Sequence, residues 1–374
     1  MTAAVVAAYE HPYTRHAGPG TTTEQVLTAA FHGVLREAAL QPDDVDGLGV
    51  ASFTLAPDHA IDLAWRLGLR LRWLMEDPHG GASGLNLLQH AVRAVEAGDA
   101  RTVVLVAGDH LDRAAFRALV ANYNRATAET LTPLGLSGPN ALFAMLTQRH
   151  MRATGLTEKD YAQVPISQRS WAGRNPGAVY RAPLGLDEYL AAPVVAPPLR
   201  RYDCVPVVTG ADAVVVTAAG RGARAEVRAF GASHNHDGQQ GDGLHTGHHL
   251  IADRLWAVAG LGPADVGLAC VYDDYPVMAL AQLQDLGLAP DPGRLLHERL
   301  AVDHWPLNPS GGQLSAGQAG AAAGLHGLVE AVRQLLGRAG ERQVPARHAL
   351  VTGYGMVLHR YGACANATIL EGKR

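Results

Sequence analysis

The 374-residue chain carries only three cysteines, Cys204, Cys270 and Cys364, widely spaced and odd in number. Such usage excludes a disulfide framework, matches no zinc-ligand spacing and fits a reducing cytoplasm. Basic residues do not outnumber acidic ones (31 against 35, net charge -4), so the positive field that nucleic-acid or anionic-membrane binding relies on is missing. No apolar run reaches the roughly 20 residues that span a bilayer, and a membrane span is not expected. The opening Met1-Thr-Ala-Ala-Val-Val-Ala-Ala has no basic leader and reads as a buried first strand. What is present is apolar: 48% of residues are hydrophobic and 18% charged, enough for a large core in two domain-sized units.

The chain repeats itself. Ala38, Leu40, Pro42, Asp44, Val45 and Leu48 recur at a constant offset as Ala259, Leu261, Pro263, Asp265, Val266 and Ala269. Gly84, Leu85, Ala91, Val92 and Arg93 recur in the same way as Gly324, Leu325, Ala331, Val332 and Arg333. Two self-similarities in the same order point to two copies of one α/β unit. Short β-branched runs alternate with amphipathic segments, so helices are expected to layer against mostly parallel strands. Continuous apolar runs such as Ala213–Thr217 suit strands covered on both faces. The Gly220–Ala223 linker divides an N-terminal domain, 1–220, from a C-terminal domain, 224–374. An insertion at about 110–195 in the first domain is placed to shape a pocket or a partner surface.

Residues 306–324, Pro-Leu-Asn-Pro-Ser-Gly-Gly-Gln-Leu-Ser-Ala-Gly-Gln-Ala-Gly-Ala-Ala-Ala-Gly, resemble the C-terminal active-site loop of a thiolase. Asn175–Arg181, Pro198–Cys204 leading to Gly210–Ala213, Tyr272–Tyr275 and Gly337–Val344 resemble the sterol-carrier-protein-X and lipid-transfer branch of that superfamily. The resemblance covers nearly the whole chain. It implies duplicated βαβαβ halves in a layered α-β-α-β-α architecture with an insertion subdomain. The family's catalytic groups are replaced: Gly81 stands for the nucleophilic cysteine, Gln318 for the Gly-His-Pro histidine, Val351 for the acid/base cysteine, and Tyr272-Asp-Asp-Tyr275 for His-Asp-Cys-Phe. Acyl-enzyme chemistry is thereby excluded. Ser83 reads as a helix N-cap rather than a substitute nucleophile.

The chain also resembles the cysteine-less, thiolase-like subunits of steroid side-chain degradation, which implies a retro-aldol lyase acting on a β-hydroxyacyl-CoA. That reaction needs a base and an enolate-stabilising oxyanion hole, and no nucleophile. Tyr354, between two glycines, is the first acid/base candidate, followed by Tyr272 and His304; Asp303 or Asp273 is placed to orient His304. Asn308, Gly311, Gly312, Gly353, Gly355 and Asp273 are expected to bind substrate or form the oxyanion hole. Tyr275 reads as core, and His79 is a weaker base. Insertion arginines Arg149, Arg152, Arg169, Arg174 and Arg181 offer contacts to coenzyme-A phosphates. The histidine-rich run from His234 to His249 reads as a polar loop before a helix, and no metal site or bound cofactor is expected. The resemblance further implies a homodimer with a small OB-fold, zinc-ribbon partner. A non-catalytic acyl-CoA or lipid-binding scaffold and a biosynthetic condensing enzyme remain alternatives.

Overall fold

The computed structural model describes residues 2–121, 125–136, 138–220, 222–238, 240–300, 305–358 and 361–373. The strands of the large sheet are β1 (Ala3–Thr14), β2 (Gly47–Ala51), β3 (Trp73–Glu76), β4 (Thr102–Asp109), β5 (Thr209–Ala218), β6 (Arg224–His234), β7 (Leu268–Cys270), β8 (His348–Leu358) and β9 (Tyr361–Lys373). They form one sheet in the order β3-β2-β4-β5-β1-β6-β9-β8-β7. Read from its middle the order is a palindrome: β6, β7, β8 and β9 repeat the places of β1, β2, β4 and β5. Even β3 has its echo, since Leu307 bridges Ala269 of β7 in parallel. The half-sheets meet edge to edge only where Ala4 and Val5 of β1 pair with Glu226 and Ala225 of β6.

The principal helices are α1 (Thr23–Ala38), α2 (Ser83–Ala97), α3 (Ala252–Ala259), α4 (Pro276–Asp285) and α5 (Ala323–Leu335). Alternation along the strands sets the layers. Val104, Val106 and Val215 face α1, whereas Val103, Leu105, Val214 and Val216 face α2 and α5. In the second half Leu268, Ala349 and Val351 face the same central helices, and Leu350, Ala367 and Ile369 face α3 and α4. Three helix layers thus sandwich two half-sheets, whose inner strands β4, β5 and β8 are buried on both faces. The fold is the thiolase-like α/β fold.

Strand direction differs from the expectation of mostly parallel pairing. Only β2–β3, β2–β4 and β7–β8 are parallel; the other pairings within the sheet are antiparallel. A valine run covered by helices on both faces reports burial, and burial carries no information about direction. After β4 the chain leaves on a long excursion and re-enters as β5 at the same end of the sheet, Gly210 pairing with Asp109, so β5 runs back against β4.

That excursion packs on the other half. Leu142, Phe143 and Val164 share a core with Tyr275, Leu296 and Leu300, and Asn175 donates to the Ser310 carbonyl at 2.9 Å. Between the halves His326 of α5 is buried with Glu10, Tyr13 and Asp212. Its Nε2 lies 2.8 Å from Ser310 Oγ, and its Nδ1 lies 3.2 Å from Tyr13 Oη and 3.6 Å from carboxylate oxygens of Glu10 and Asp212. Burial by itself would lower the imidazole's pKa; Asp212, with Glu10 and Glu330, outweighs that and lifts it to about 9.

A group raised in the folded state contributes stability that is complete below its unfolded value, ordinarily about 6.5, and lost as pH rises through its folded value. Unfolding free energy measured by denaturant should therefore fall between pH 6.5 and 9, on the order of 1 kcal/mol per unit. His326→Gln should be less stable at pH 6.5 and lack that slope. An unchanged slope in the variant would remove His326 as its source.

Candidate active site

The two halves cross at their helix starts. Gly84 and Gly324 touch backbone to backbone: a Cβ on Gly84 would stand 2.0 Å from the Gly324 carbonyl oxygen. Asp109, at the end of β4, fastens the surrounding loops. One of its oxygens accepts from Ser52 Oγ, Thr54 Oγ1 and the Phe53 and Thr54 N–H groups; the other accepts from Ala321 N–H at 2.7 Å. Above this crossing opens a pocket of about 200 Å³. Its floor includes Gly81, Tyr272, Asp274, Gln318, Gly320 and Gly355, and its wall includes Phe53, Leu111, Phe116, Leu119 and Val120.

Tyr272 dominates the floor. A Cβ on Gly81 would lie 2.2 Å from Tyr272 Cε2 and 2.3 Å from the Tyr354 carbonyl oxygen. The phenol ring therefore fills the volume that a side chain at position 81 would need. Its hydroxyl donates to Asp274 Oδ2 at 3.1 Å and accepts from Gln318 Nε2 at 3.4 Å; Gln318 Nε2 also donates to Asp274 Oδ1 and to Gln313 Oε1. Burial raises the Asp274 carboxyl to about 8, against the lowering effect of these donors. A phenol, a carboxyl that exchanges its proton near neutrality and a carboxamide orienting both make a proton-transfer site without a nucleophile.

The other residues singled out by sequence divide between pocket and frame. Tyr354 borders the pocket, but its hydroxyl accepts from Gly362 N–H at 2.7 Å and its ring belongs to the outer core beside α3 and α4. Successive residues of a strand face opposite ways, so Gly353 and Gly355 face the crossing and Tyr354 faces away from it. Gly355 packs where a Cβ would be 2.2 Å from the His79 carbonyl oxygen, and Gly353 packs beside the Gly81 carbonyl. Both admit the 80–82 turn to close approach. Val351 is core on the central face of β8 and lies outside the pocket lining, which β8 reaches with Tyr354, Gly355, Met356 and Val357. Asn308 is taken up by the frame: its Oδ1 accepts from Val271 N–H at 2.7 Å and its Nδ2 donates to Val271 O at 3.0 Å.

Gly311 packs on Ala172, and Gly312, with φ near 57°, sits over Asp273 Oδ2, again away from the pocket. Asp273 accepts from Gln313 N–H at 3.0 Å; burial raises its carboxyl to about 7. His304 and Asp303 lie outside the described residues. Ser83 opens α2 without capping it, and its hydroxyl donates to the Asp77 carbonyl at 3.0 Å, leaving neither the cap nor the nucleophile reading. His79 lies 3.0 Å from Asp77 Oδ1, and Tyr275 stacks on Phe143 at 4.5 Å, within the core. Arg169 is buried between the rings of Tyr180 and Tyr202 and donates to Ser315 Oγ, so it is structural. Arg149, Arg152, Arg174 and Arg181 are exposed and do not line the pocket.

Asp274 escaped sequence reasoning, although alternation of side chains places Tyr272 and Asp274, two apart, on one side, where they bond each other, with Asp273 turned to Gln313. That alternation was the available signal.

These features define a site of the thiolase-like fold in which position 81 carries no side chain and the Tyr272 ring occupies the space beside it. Residues 229–368 match the family described as thiolase C-terminal domain-like. The chain is 31% identical to a 17-hydroxy-3-oxo-4-pregnene-20-carboxyl-CoA lyase of Mycobacterium tuberculosis, over 89% of this chain and 92% of the relative. It is 28% identical to a steroid side-chain-cleaving aldolase of Thermomonospora curvata, over 89% and 90%. A solved Ltp2-ChsH2(DUF35) aldolase superposes with a TM-score of 0.84 at 25% identity, covering 100% of this chain and 98% of that one. The chain belongs to the thiolase superfamily, in the cysteine-less branch allied to sterol-carrier-protein-X and the lipid-transfer proteins.

Restoring the nucleophile should fail. Gly81→Cys places a Cβ inside the Tyr272 ring and against a backbone carbonyl, so a loss of about 1–3 kcal/mol in stability is expected. No acyl-enzyme should form when the variant is mixed with acetyl-CoA and examined by intact-mass spectrometry. Acylation of the G81C protein at its new thiol, with Tm undiminished, would show that the ring does not hold that space.

Proposed function

We propose that this chain is a carbon–carbon lyase that cleaves a β-hydroxyacyl-CoA by retro-aldol chemistry. The observation that carries this reading is the Tyr272 phenol over Gly81, hydrogen-bonded to Asp274 and Gln318. Asp274, acting through Tyr272, takes the proton of the β-hydroxyl. The oxygen's electron pair becomes the carbonyl of a departing ketone or aldehyde, and the Cα–Cβ bond breaks. Its electrons enter the thioester as an enolate, and the proton held by the Tyr272–Asp274 pair is passed to Cα, which gives the shortened acyl-CoA and returns Asp274 to its ionised form. The acyl group never leaves sulfur, so a cysteine has no part to play. Gln318 fixes the phenol and carboxyl relative to each other, and Tyr354, held on Gly362, fixes the wall behind them.

The Mycobacterium relative's name describes a substrate whose 17-hydroxyl is β to the thioester carbonyl, which supports the same reaction here. A bulky, steroid-like side chain accords with the apolar wall of Leu111, Phe116, Leu119 and Val120. A cleft of about 630 Å³, sharing Leu111 and Phe116 with the pocket, is bordered by Arg15, His16, His110 and Arg113; we assign it to the anionic part of coenzyme A. The coenzyme enters as substrate. The exposed edge strand β3, with Leu74 and the neighbouring Ile61 and Trp65, the last 77% exposed, supports a homodimer. The Ltp2-ChsH2(DUF35) match supports a small OB-fold, zinc-ribbon partner. Among the described residues no helix is long and apolar enough to cross a membrane, and three free thiols accord with work in the cytoplasm.

Purified chain, alone and with such a partner, should convert the 17-hydroxy steroid thioester into a ketone and a shorter acyl-CoA, followed by chromatography. Tyr272→Phe and Asp274→Asn should each lower kcat/KM by ~10²-fold or more. Since the base is the ionised carboxyl, wild-type kcat/KM should rise with pH through about 8. A flat profile from pH 6 to 9, or a Tyr272→Phe enzyme within about threefold of wild type, would reject the pair.

The coenzyme cleft has its own check. Arg15→Ala with Arg113→Ala should raise KM about tenfold for the coenzyme-A thioester and leave the pantetheine thioester unchanged. Equal effects on both substrates would move the phosphates elsewhere.

A further inference from the structure

A second group of chemistry-bearing side chains gathers away from the pocket, on the outer side of the second half. The histidine-rich stretch closes with a short 3-10 turn, Gly247–Leu250, and Asp285 at the end of α4 lies against it. Asp285 Oδ1 is 2.7 Å from His245 Nδ1, and its Oδ2 accepts from the Thr246 N–H and hydroxyl at 2.5 and 2.6 Å. The rings of His245 and His249 are 5.1 Å apart. His249 Nδ1 donates to the Thr246 carbonyl at 2.5 Å, which fixes its tautomer and leaves the Nε2 lone pair as a ligand. One nitrogen or oxygen from each of His245, His249 and Asp285 falls within 4.8 Å of the other two.

The turn that presents them is anchored. His248, between the two exposed imidazoles, is fully buried, with Nε2 3.0 Å from the Asn366 carbonyl oxygen and Nδ1 2.9 Å from Thr246 Oγ1. The ligand positions are therefore set by core packing and by the second carboxylate oxygen of Asp285, and a third imidazole, His236, borders His249 at 5.7 Å. A site so held loses little conformational entropy on closing around an ion.

We propose that His245, His249 and Asp285 bind a divalent transition metal of the zinc class. Two imidazoles and one carboxylate are too rich in nitrogen to favour magnesium or calcium, and they suit zinc, cobalt or nickel with water in the remaining position. Binding replaces the His245–Asp285 ion pair by two bonds to the ion. It staples the 245–249 turn to the C-terminal end of α4, whose N-terminal end follows the Tyr272–Asp274 segment. The role is structural, and it is independent of the lyase reading.

The test uses tag-free full-length chain, stripped with chelator and desalted, then titrated with zinc chloride by calorimetry and with cobalt chloride by visible absorption. One zinc per chain and a rise in Tm of about 3 °C or more at saturation are expected. His245→Ala and His249→Ala, which remove exposed or half-exposed rings, should keep the apo Tm and weaken zinc binding at least tenfold. Absence of binding at ~1 mM zinc, or unaltered binding by the double variant, would overturn the assignment.

Discussion

Two glycine-rich turns, 80–84 and 320–324, meet backbone to backbone at the centre of the molecule. A methyl group on Gly84 would fall on the Gly324 carbonyl oxygen, and one on Gly324 would stand 2.8 Å from the Gly80 carbonyl. Each turn feeds a central helix, α2 or α5, so this contact sets the spacing of the middle layer and of the half-sheets on either side. The polar groups around it are there to hold it. Asp109 reaches across from β4 to the Ala321 N–H, and the His326 imidazole, two residues into the second helix from Gly324, is enclosed by carboxylates of the first half. Breaking one partner of such a buried charge set costs more than any single contact in it contributes.

The same crossing explains why the chemistry can change while the fold stays. The pocket floor is mostly backbone and glycine, and its acid/base character comes from a few side chains carried by the segment after β7 and the loop before α5. Glycine at position 81 leaves room beside the crossing, and a void in a close-packed interior is costly unless filled. Tyr272 fills it and brings a phenolic hydroxyl to the site. The missing side chain at position 81 and the ring of Tyr272 are here two sides of one packing arrangement.

Much of the architecture was legible in the sequence because duplication and burial both leave periodic traces. The constant offsets linking Gly84 with Gly324, and Ala38 with Ala259, mark equivalent places on either side of the palindrome. Strand direction left no such trace, since Val214 and Val216 read alike whichever way β5 runs. At the site, motif position singled out Gly81, Gln318 and Tyr272, which the fold brings together in one pocket lining. Asp274 did not, because its role depends on which of two adjacent carboxyls turns toward the pocket. Tyr354 misled for the complementary reason: flanking glycines announced a close approach, and the tyrosine between them faces the opposite side of the strand. Asp285 could be joined to the histidine loop only once α4 was folded against it.

The order of strands in space is not their order in the chain. β9 lies between β6 and β8, near the middle of the second half-sheet, yet it follows every other strand in sequence. Phe143 and Leu142 belong to the excursion out of the first half, yet they complete their core with Leu296 and Leu300, about 150 residues later. During synthesis, the ribosome therefore releases the first half and its excursion long before the surfaces they must cover exist. Until β9 emerges, β6 and β8 present unpaired edges, and the apolar face of the 139–154 helix stays open until the 275–300 segment follows it. The nascent chain passes through a prolonged interval of exposed hydrophobic surface, a demand on chaperones imposed by topology.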